Sequence, residues 1–306
     1  MSELEIIRHG QINGVTVFFD TVEYRTPHFH PEWELVWVTG GTLLLSSGQA
    51  EERYETGELC LLPPKRIHAY TAADREVTFL CLQIAPSVFS YVFPKLQALT
   101  SDSFRPGRYL EERELEEIRS SFRTLAEAYF SEAPYAELSS AEICARILRI
   151  LLSRMPVRPL SAEEITSADK RNARLDRFVR YVEEHYADKP SLEEFANKEH
   201  CSVSYMSRFL KANLNQNFQE YVTFVRFRNA CRLIEAGASK MIEVCEMSGF
   251  SDYRYFSECF RKRCRMTPEE YRQSRPAVSA VPAVKSGASS ERFYSREESL
   301  LLLESL

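Results

Sequence analysis

The chain has 306 residues, 44% of them apolar, and a formal net charge of −5 at neutral pH, which is enough material for two domains with separate hydrophobic cores. It holds no run of about 18 apolar residues, and MSELEIIRHG lacks the basic-then-apolar layout of a signal peptide, so we expect a cytoplasmic protein with no membrane partner. Its eight cysteines form no CxxC pair, so neither a disulfide framework nor a zinc site is indicated.

The charge is unevenly distributed along the chain. Residues 170–275 contain 20 Lys and Arg against 15 Asp and Glu, whereas the rest of the chain contains 19 against 29. A basic segment on an acidic protein indicates a partner that carries phosphate.

Residues 12–85 predict short β-strands. The stretches GVTVFFD, ELVWVTGGTLLLSS, ELCLLP and EVTFLCLQIA alternate or run apolar, with Gly, Pro and Ser between them. That spacing is typical of a small antiparallel barrel or sandwich. After Pro86 the period becomes helical, and one segment carries apolar residues along one face: Leu115, Ile118, Phe122 and Leu125.

A second helix is predicted over residues 139–155. Its apolar positions recur at intervals of three and four, which is the spacing of a coiled-coil seam: Ala141, Cys144, Leu148, Leu151 and Met155. Such a seam would make the protein a homodimer. Because two heptads are few, packing of the same stripe on the chain's own barrel stays open as the alternative.

Composition changes mark the domain boundaries. Residues 156–171 are polar and contain Pro159, so they predict a linker between an N-terminal domain, residues 1–155, and a helical domain, residues 172–275. The tail, residues 276–306, opens with PAVSAVPAVKSGASS and predicts disorder. Its last residues, ERFYSREESLLLLESL, could form a short helix.

The helical domain repeats itself with a shift of 50 residues. The corresponding pairs are Tyr205 and Tyr255, Met206 and Phe256, Ser207 and Ser257, Lys211 and Arg261, Phe218 and Pro268, and Tyr221 and Tyr271. Each copy has a short helix with a small inward residue (Ala196 or Cys245), a tight turn (His200 or Gly249), and a second helix opened by a capping serine. This order of elements predicts two helix-turn-helix motifs.

The second helix of each motif packs through one face and leaves the opposite face free. The packed residues are Met206, Phe209 and Leu210 in the first copy and Phe256, Cys259 and Phe260 in the second. Residues placed to reach base edges are Ser204, Ser207, Arg208, Tyr253, Arg254, Ser257 and Glu258. Residues placed near phosphates are Lys211, Arg261 and Lys262. A solvated charge run is the usual alternative for one such helix, but two copies in a basic domain favour DNA.

A long helix is predicted between the motifs, in NFQEYVTFVRFRNACRLIEAG. Its apolar face consists of Phe218, Tyr221, Val222, Val225, Leu233 and Ile234. At about 1.5 Å per residue, some 19 residues span roughly 28 Å, close to the roughly 34 Å of one DNA turn. Two reading helices held by such a rod could enter successive major grooves of double-stranded DNA.

Residues 172–273 resemble the DNA-binding domain of the AraC/XylS family of bacterial transcription regulators. The matching stretches are SLEEFANKEHCSVSYMSRFLK with NFQEYV, and GFSDYRYFSECFRK with MTPEEYR. The resemblance implies double-stranded DNA and RNA polymerase as partners, and it nominates the same base-facing residues. His200, Asn215 and Arg265 stand where the family usually has glycine. Asn tolerates the left-handed backbone of a turn and His does so less readily, so the local geometry of these turns is expected to differ from that of the family.

The N-terminal half carries a pattern of histidines, HxHx3Ex6G and then Gx5P followed by His, that is similar to the two motifs of the cupin barrel. The residues are His28, His30, Glu34 and Gly41, then Gly57, Pro63 and His68. On alternating strands the polar side chains can point into the barrel, and three imidazoles with a carboxylate would suit a transition metal. Lys65 and Ala72 depart from the second motif, so we expect no metal here. If a metal does bind, its candidate ligands are His28, His30, Glu34 and His68.

A small-molecule effector is the favoured partner of this barrel. The predicted effector-binding residues are His28, His30, Glu34, Trp37, His68 and Tyr70, because aromatic faces with a few polar groups suit a small polar ligand such as a sugar. Core packing is the alternative for Trp33 and Trp37. Residues 1–14 precede the first clear strand and are a candidate lid.

Together these patterns predict an α+β, two-domain protein with an N-terminal cupin-like β-barrel and flanking helices, followed by an all-α tandem helix-turn-helix domain. The predicted function is sequence-specific, effector-responsive transcription regulation, with no catalytic role and no cofactor. One alternative is a metal-dependent cupin enzyme, a dioxygenase or isomerase, fused to a DNA-binding module. Another is a DNA-bending architectural protein without an effector.

Overall fold

The computed structural model divides the chain into two compact units. The residues described are 12–214, 216–235, 240–264, 266–274 and 290–306. The first unit comprises Glu3–Ala173 together with Glu291–Leu306, and the second is built from Arg174–Ser290. The predicted lid lies almost wholly outside the described residues, as do Asn215 and Arg265. Within the described part, no helix is long and apolar enough to cross a bilayer.

The first unit is built on an antiparallel sheet that curls into a nearly closed barrel. Its strands are β1 (Val15–His28), β2 (Trp33–Gly40), β3 (Thr42–Ser47), β4 (Ala50–Glu55), β5 (Leu59–Leu62), β6 (His68–Ala72) and β7 (Val77–Ile84). They lie in the order β4-β3-β6-β1-β7-β2-β5. A separate ribbon pairs β8 (Leu99–Ser101) with β9 (Val157–Pro159). The predicted all-antiparallel barrel is confirmed.

Both faces of the sheet are buried, as β2 shows. Trp33, Leu35 and Trp37 join a core on the outer face, whereas Val36 and Val38 join a second core inside the barrel. Alternate residues of a strand point to opposite faces, so each strand feeds both cores.

Two helices cover the outer face of the sheet, α1 (Glu112–Phe130) and α2 (Ala136–Arg154). The α2 residues Cys144, Leu148 and Leu151 are buried in the same core as the outer face of the sheet. The stripe predicted as a possible dimer seam is therefore packed inside its own unit, which is the alternative left open above.

The predicted linker has regular structure. Residues 156–171 contain β9 and the first turns of α3 (Ala162–His185), a helix that continues past Ala173 into the residues of the second unit. Ser161 caps α3, because its hydroxyl accepts a hydrogen bond from the Glu164 amide at 3.1 Å.

Residues 290–306 form a strand and a helix, so the prediction of disorder over 276–306 is wrong for residues 290–306. Strand β10 (Ser290–Phe293) pairs with β1, and α10 (Arg296–Leu303) buries Leu303 in the outer core. The short helix suggested for the last residues is present as α10, whereas the strand was missed because its partner is distant in sequence. The remaining predicted tail, residues 276–289, lies outside the described residues.

The second unit is built from helices and shows the predicted repeat. Its helices after α3 are α4 (Leu192–Lys198), α5 (Val203–Leu214), α6 (Phe218–Glu235), α7 (Met241–Met247), α8 (Tyr253–Cys264) and α9 (Pro268–Ser274). Helices α5 and α8 both have 12 residues and start 50 residues apart. The two helix-turn-helix motifs are thus α4–α5 and α7–α8.

Each motif has an aromatic core. Phe178 of α3 contacts the rings of Phe195 and Tyr221, at centroid distances of 5.4 and 5.2 Å. In the second motif, Phe256 and Phe260 stack edge to face at 5.1 Å. Helix α5 buries Met206, Leu210 and Leu214, and α8 buries Phe256 and Phe260, so each helix packs through one face and leaves the other exposed.

Candidate functional site

Helix α5 presents a polar, exposed face. Ser204, Ser207, Arg208 and Lys211 are all exposed, while Met206, Leu210 and Leu214 are buried. The Arg208 guanidinium donates to the Ser204 carbonyl oxygen of the preceding turn at 3.3 Å. All four predicted DNA-facing residues of the first motif therefore lie on its solvent side.

Helix α8 presents a more charged face. Arg254 and Glu258 form an exposed ion pair at 3.4 Å, one turn apart, and the Arg254 side chain is 88% exposed. Arg261 and Lys262 are exposed in the last turns. An exposed pair of this kind contributes little to stability, so both groups are available to another molecule.

Two predicted base-facing residues of α8 are less accessible. Tyr253 is half-buried against Phe256, and its hydroxyl donates to the Glu269 carboxylate on α9. Ser257 is also half-buried. The Tyr253 ring thus holds α8 against α9, and a role for it at a base edge stays a prediction.

The second candidate site is a cluster of buried polar side chains inside the barrel. Strand pairing assembles it, because His28 of β1 lies opposite His68 of β6, and Glu34 of β2 lies opposite Gln83 of β7. His30 follows β1 directly, and its carbonyl oxygen accepts from the Lys65 amide at 2.7 Å. Residues far apart in sequence therefore meet at one place.

Glu34 is the centre of the cluster. Its carboxylate accepts hydrogen bonds from the Tyr70 hydroxyl and, at 2.6 Å, from the Gln83 amide. His30 Nε2 lies 2.9 Å from the same carboxylate. Burial by itself raises the pKa of Glu34, but the charge and hydrogen bond of His30 outweigh it and hold the pKa well below its usual range.

His28 and His68 are neutral imidazoles with a fixed tautomer. Nδ1 of each lies 2.8 Å from a backbone carbonyl oxygen, of Thr26 and Arg66 respectively, so Nδ1 must carry the proton. Burial lowers the pKa of His28 well below its usual value and that of His68 to about 4. Nε2 of each ring therefore carries a lone pair.

These lone pairs bear on whether the cluster could hold a metal. The Nε2 atoms of His28 and His68 are buried and have no hydrogen-bond partner among the described residues. One nitrogen from each of His28, His30 and His68 lies within 4.8 Å of the others. Neutral imidazoles anchored through Nδ1 are the form in which histidine binds transition metals, so the donor set fits such an ion.

Trp37 does not belong to this cluster, which corrects its prediction as an effector-binding residue. It lies in the outer core, with its ring 6.3 Å from that of Phe122 on α1. Because Glu34 and Trp37 are three residues apart on one strand, they point to opposite faces. Conversely, Gln83 was missed, although an amide in the apolar run EVTFLCLQIA was a signal for a buried polar partner.

Two protein-family models match the chain. An AraC-like ligand-binding domain matches residues 13–151, and a helix-turn-helix domain matches residues 195–274. The first range contains the histidine cluster and the second contains α5 and α8.

The chain is also similar to curated proteins and to solved structures. The HTH-type transcriptional activator RhaS of Klebsiella pneumoniae (strain 342) is 27% identical over 256 residues, covering 82% of this chain and 88% of the relative. The RhaS activator of Enterobacter sp. (strain 638) is 24% identical with the same coverage. Among solved structures, ToxT from Vibrio cholerae aligns over 85% of this chain and 97% of its own, with 14% identity and a TM-score of 0.40.

Proposed function

Because the chain belongs to the AraC family of DNA-binding transcriptional regulators and carries an AraC-like ligand-binding domain, we propose that a small molecule bound to the first unit controls its affinity for specific DNA sites. Binding energy of an effector can change DNA affinity only if the effector prefers one state of the protein. The two family domains supply the two sites that such coupling needs.

Sequence-specific recognition of DNA is supported by two matched helices, each with one exposed polar face. Helices α5 and α8 repeat with one spacing, each fixed by a buried aromatic or aliphatic face, and each presents polar side chains to solvent. In helix-turn-helix proteins, residues near the start of the second helix contact base edges in the major groove. We therefore assign base contacts to Ser204, Ser207 and Arg208 of α5 and to Arg254, Ser257 and Glu258 of α8, with Tyr253 as a weaker candidate.

Selection of binding sites from a random duplex library tests this proposal. We expect enrichment of one site with two half-elements, and an affinity that falls steeply with salt because phosphate contacts release counterions. The matched control is the full-length protein with both Ser207→Ala and Arg254→Ala, which should fold but enrich no site. Recovery of unenriched sequences by the unmodified protein would refute sequence-specific reading.

Further partners follow from the relatives. Since the similar proteins are named transcriptional activators, we propose that this chain also activates transcription, with RNA polymerase as its downstream partner and no catalytic step of its own. The homodimer stays a proposal, and the α2 stripe does not support it because its residues are packed inside the unit. Sedimentation velocity measures the oligomeric state of the protein when it is free and when it is bound to DNA.

A second candidate property is binding of a transition metal ion by the histidine cluster. It rests on the two buried Nε2 lone pairs of His28 and His68, which no described group satisfies. His30 and Glu34 would complete the donor set, which suits ions that prefer imidazole, such as Zn²⁺ or Ni²⁺. When bound, the ion would offer open coordination positions to a polar ligand.

Metal content separates this candidate from direct binding of an organic effector by the same residues. His68→Ala should lose bound metal, measured by elemental analysis after dialysis against Ni²⁺ and then buffer. His185→Ala is the matched control, because its Nδ1 also lies 2.8 Å from a backbone carbonyl oxygen but belongs to the second unit, outside the cluster. A protein that retains no metal, yet is stabilised by a sugar only when His30 is intact, would support the predicted hydroxyl-binding role.

A further inference from the structure

The first unit contains a second candidate site, away from the barrel interior. A cavity of about 380 Å³ lies among residues 64–66, 97–102 and 158–160 and the first turns of α3. That volume is within the usual range for small-molecule sites, roughly 300 to 1,000 Å³. No residue of the histidine cluster lines it.

Arg171 is the unusual charge in this cavity. Its guanidinium is half-buried, its Nε atom is buried without a hydrogen-bond partner, and no carboxylate of the described residues pairs with it. Burial and the neighbouring positive charge of Arg66 both lower the pKa of Arg171. A buried cation that faces another cation is costly unless an anion lies between them.

The other cations at the cavity already have acidic partners. Lys65 pairs with Asp169 at 2.7 Å, and Arg158 pairs with Glu164 at 2.9 Å. Three acidic side chains line the cavity: Asp102, Glu163 and Glu164. Glu164 pairs with Arg158, and Asp102 lies near both Arg66 and Arg158. None of the three pairs with Arg171, so its positive charge is unsatisfied.

Arg66 has only a partial counter-charge. It reaches Asp102 at 3.4 Å and the Ser101 carbonyl oxygen at 3.2 Å. The side chains of Leu160 and Ile165 give the same cavity an apolar wall. A ligand with one anionic group and an apolar body matches both features.

We propose that this cavity binds a small organic anion, whose carboxylate or phosphate lies between Arg171 and Arg66 and whose apolar part contacts Leu160 and Ile165. Arginine is suited to this role because its planar fork can hold either anion through two parallel hydrogen bonds. That this anion is the effector is a further step, which rests on the proposed regulatory function.

Hydrogen bonds connect the cavity wall to the rest of the unit. The Lys65 carbonyl oxygen accepts from the Asn172 side chain at 2.9 Å, next to Arg171 on α3. On its other side the same loop bonds to the histidine cluster, through His68 Nδ1 and the Arg66 carbonyl oxygen. An anion that draws Arg171 towards Arg66 therefore acts on the first half of α3, the helix that continues into the residues of the second unit.

Calorimetric titration of the full-length protein tests the site with three probes: sodium benzoate, its neutral analogue benzamide, and inorganic phosphate. Benzoate or phosphate should bind, and benzamide should bind at least tenfold more weakly than benzoate. Which anion binds more tightly identifies the carboxylate or the phosphate class.

Variants locate the binding. Arg171→Gln should weaken the bound anion at least tenfold, and Arg171→Lys should retain part of the affinity because the charge remains. Arg149→Gln is the control, since it removes an exposed arginine of α2 that does not line the cavity. A melting curve of each variant confirms folding, and Leu160→Glu, which puts a negative charge at the cavity wall, is the independent variant if Arg171→Gln does not fold.

Absence of binding by both anions, binding of benzoate and benzamide with equal affinity, or unchanged affinity for the bound anion in the folded variants would overturn the proposal. DNA binding by the ligand-free protein is measured separately. Absence of specific DNA binding by the unmodified protein both with and without the anion would refute the regulatory function, whereas anion binding without any change in DNA affinity would refute the effector role alone.

Discussion

The two helix-turn-helix motifs have the same helices but different turns. In the first, His200 adopts a left-handed backbone with φ of 52°, and the neighbouring Glu199 carboxylate accepts from Arg174 at 3.0 Å and Arg177 at 2.6 Å on α3. In the second, Gly249 has φ of 83° and lies directly against the backbone of Ala187. The first turn is thus held by charged side chains, and the second by close backbone packing.

The exposed faces of the two motifs differ in charge. Helix α5 offers mainly hydroxyl groups and ends in one cation, Lys211, whereas α8 has the Arg254–Glu258 pair and three cations in its last turn, Arg261, Lys262 and Arg263. We infer that the second motif contributes more of the electrostatic attraction to DNA and tolerates less change in its turn.

The largest expected effect is that of Gly249→Ala. An added Cβ would lie 2.6 Å from the Tyr186 carbonyl oxygen and 2.8 Å from Ala187 Cα, and both are backbone atoms that cannot move aside easily. With the cost of a positive φ included, we expect a loss of about 3 kcal/mol in unfolding free energy.

His200→Ala is the matched control for Gly249→Ala in urea unfolding. It should change stability much less, because His and Ala both carry a Cβ and therefore pay the same cost for the positive φ at position 200. Equal effects in the two turns would contradict the distinction between them.

The second prediction concerns base reading by α8. Arg254→Ala should cost about 1 to 3 kcal/mol on the best DNA site and relax the base preference there. Ser204→Ala, at the corresponding position of α5, should cost less, since a hydroxyl makes fewer and weaker contacts than a guanidinium. Competition binding with site variants measures both, and an unchanged preference in Arg254→Ala would remove α8 as the stronger reader.

The second unit could be predicted from sequence because its signals are local. Apolar residues three and four apart and the serine that caps α5, Ser202, are signals within one or two turns of chain, and the 50-residue repeat shows the same pattern twice. The predicted capping serine is wrong for α8, where the Asp252 carboxylate accepts from the Arg254 amide. The predicted rod also agrees with α6, although the distance between the reading helices is not set by local pattern.

The first unit could be predicted less well because both faces of its sheet are buried. Strand β2 is buried at every position from Trp33 to Val38, so alternation could not tell Trp37 from the inward-facing residues. The cluster around Glu34 was predicted from motif spacing, but Gln83 depends on strand register. Arg171 was assigned to a linker, since the cavity beside it is formed by segments distant in sequence.

A smaller effect is expected at the end of α5. Lys211→Ala should weaken binding to all duplexes alike and reduce the slope of log affinity against log salt by about 1, as loss of one phosphate contact does. Anisotropy titrations at several salt concentrations measure this slope. The double change Arg261→Ala and Lys262→Ala in α8 should reduce it by about 2, and equal slopes for the two variants would erase the electrostatic difference between the motifs.

The smallest expected effect is a gain in stability from His200→Gly. A residue with a side chain pays roughly 1 to 2 kcal/mol for a left-handed backbone, whereas glycine pays about 0.5 to 1 kcal/mol in lost chain freedom. The difference predicts a gain of about 0.5 kcal/mol in urea unfolding, provided that the Glu199 ion pairs are unaffected, which Glu199→Gln in the same background checks. If His200→Gly is destabilising, the imidazole itself holds the first turn, and the two turns are then both maintained by specific side-chain or backbone contacts.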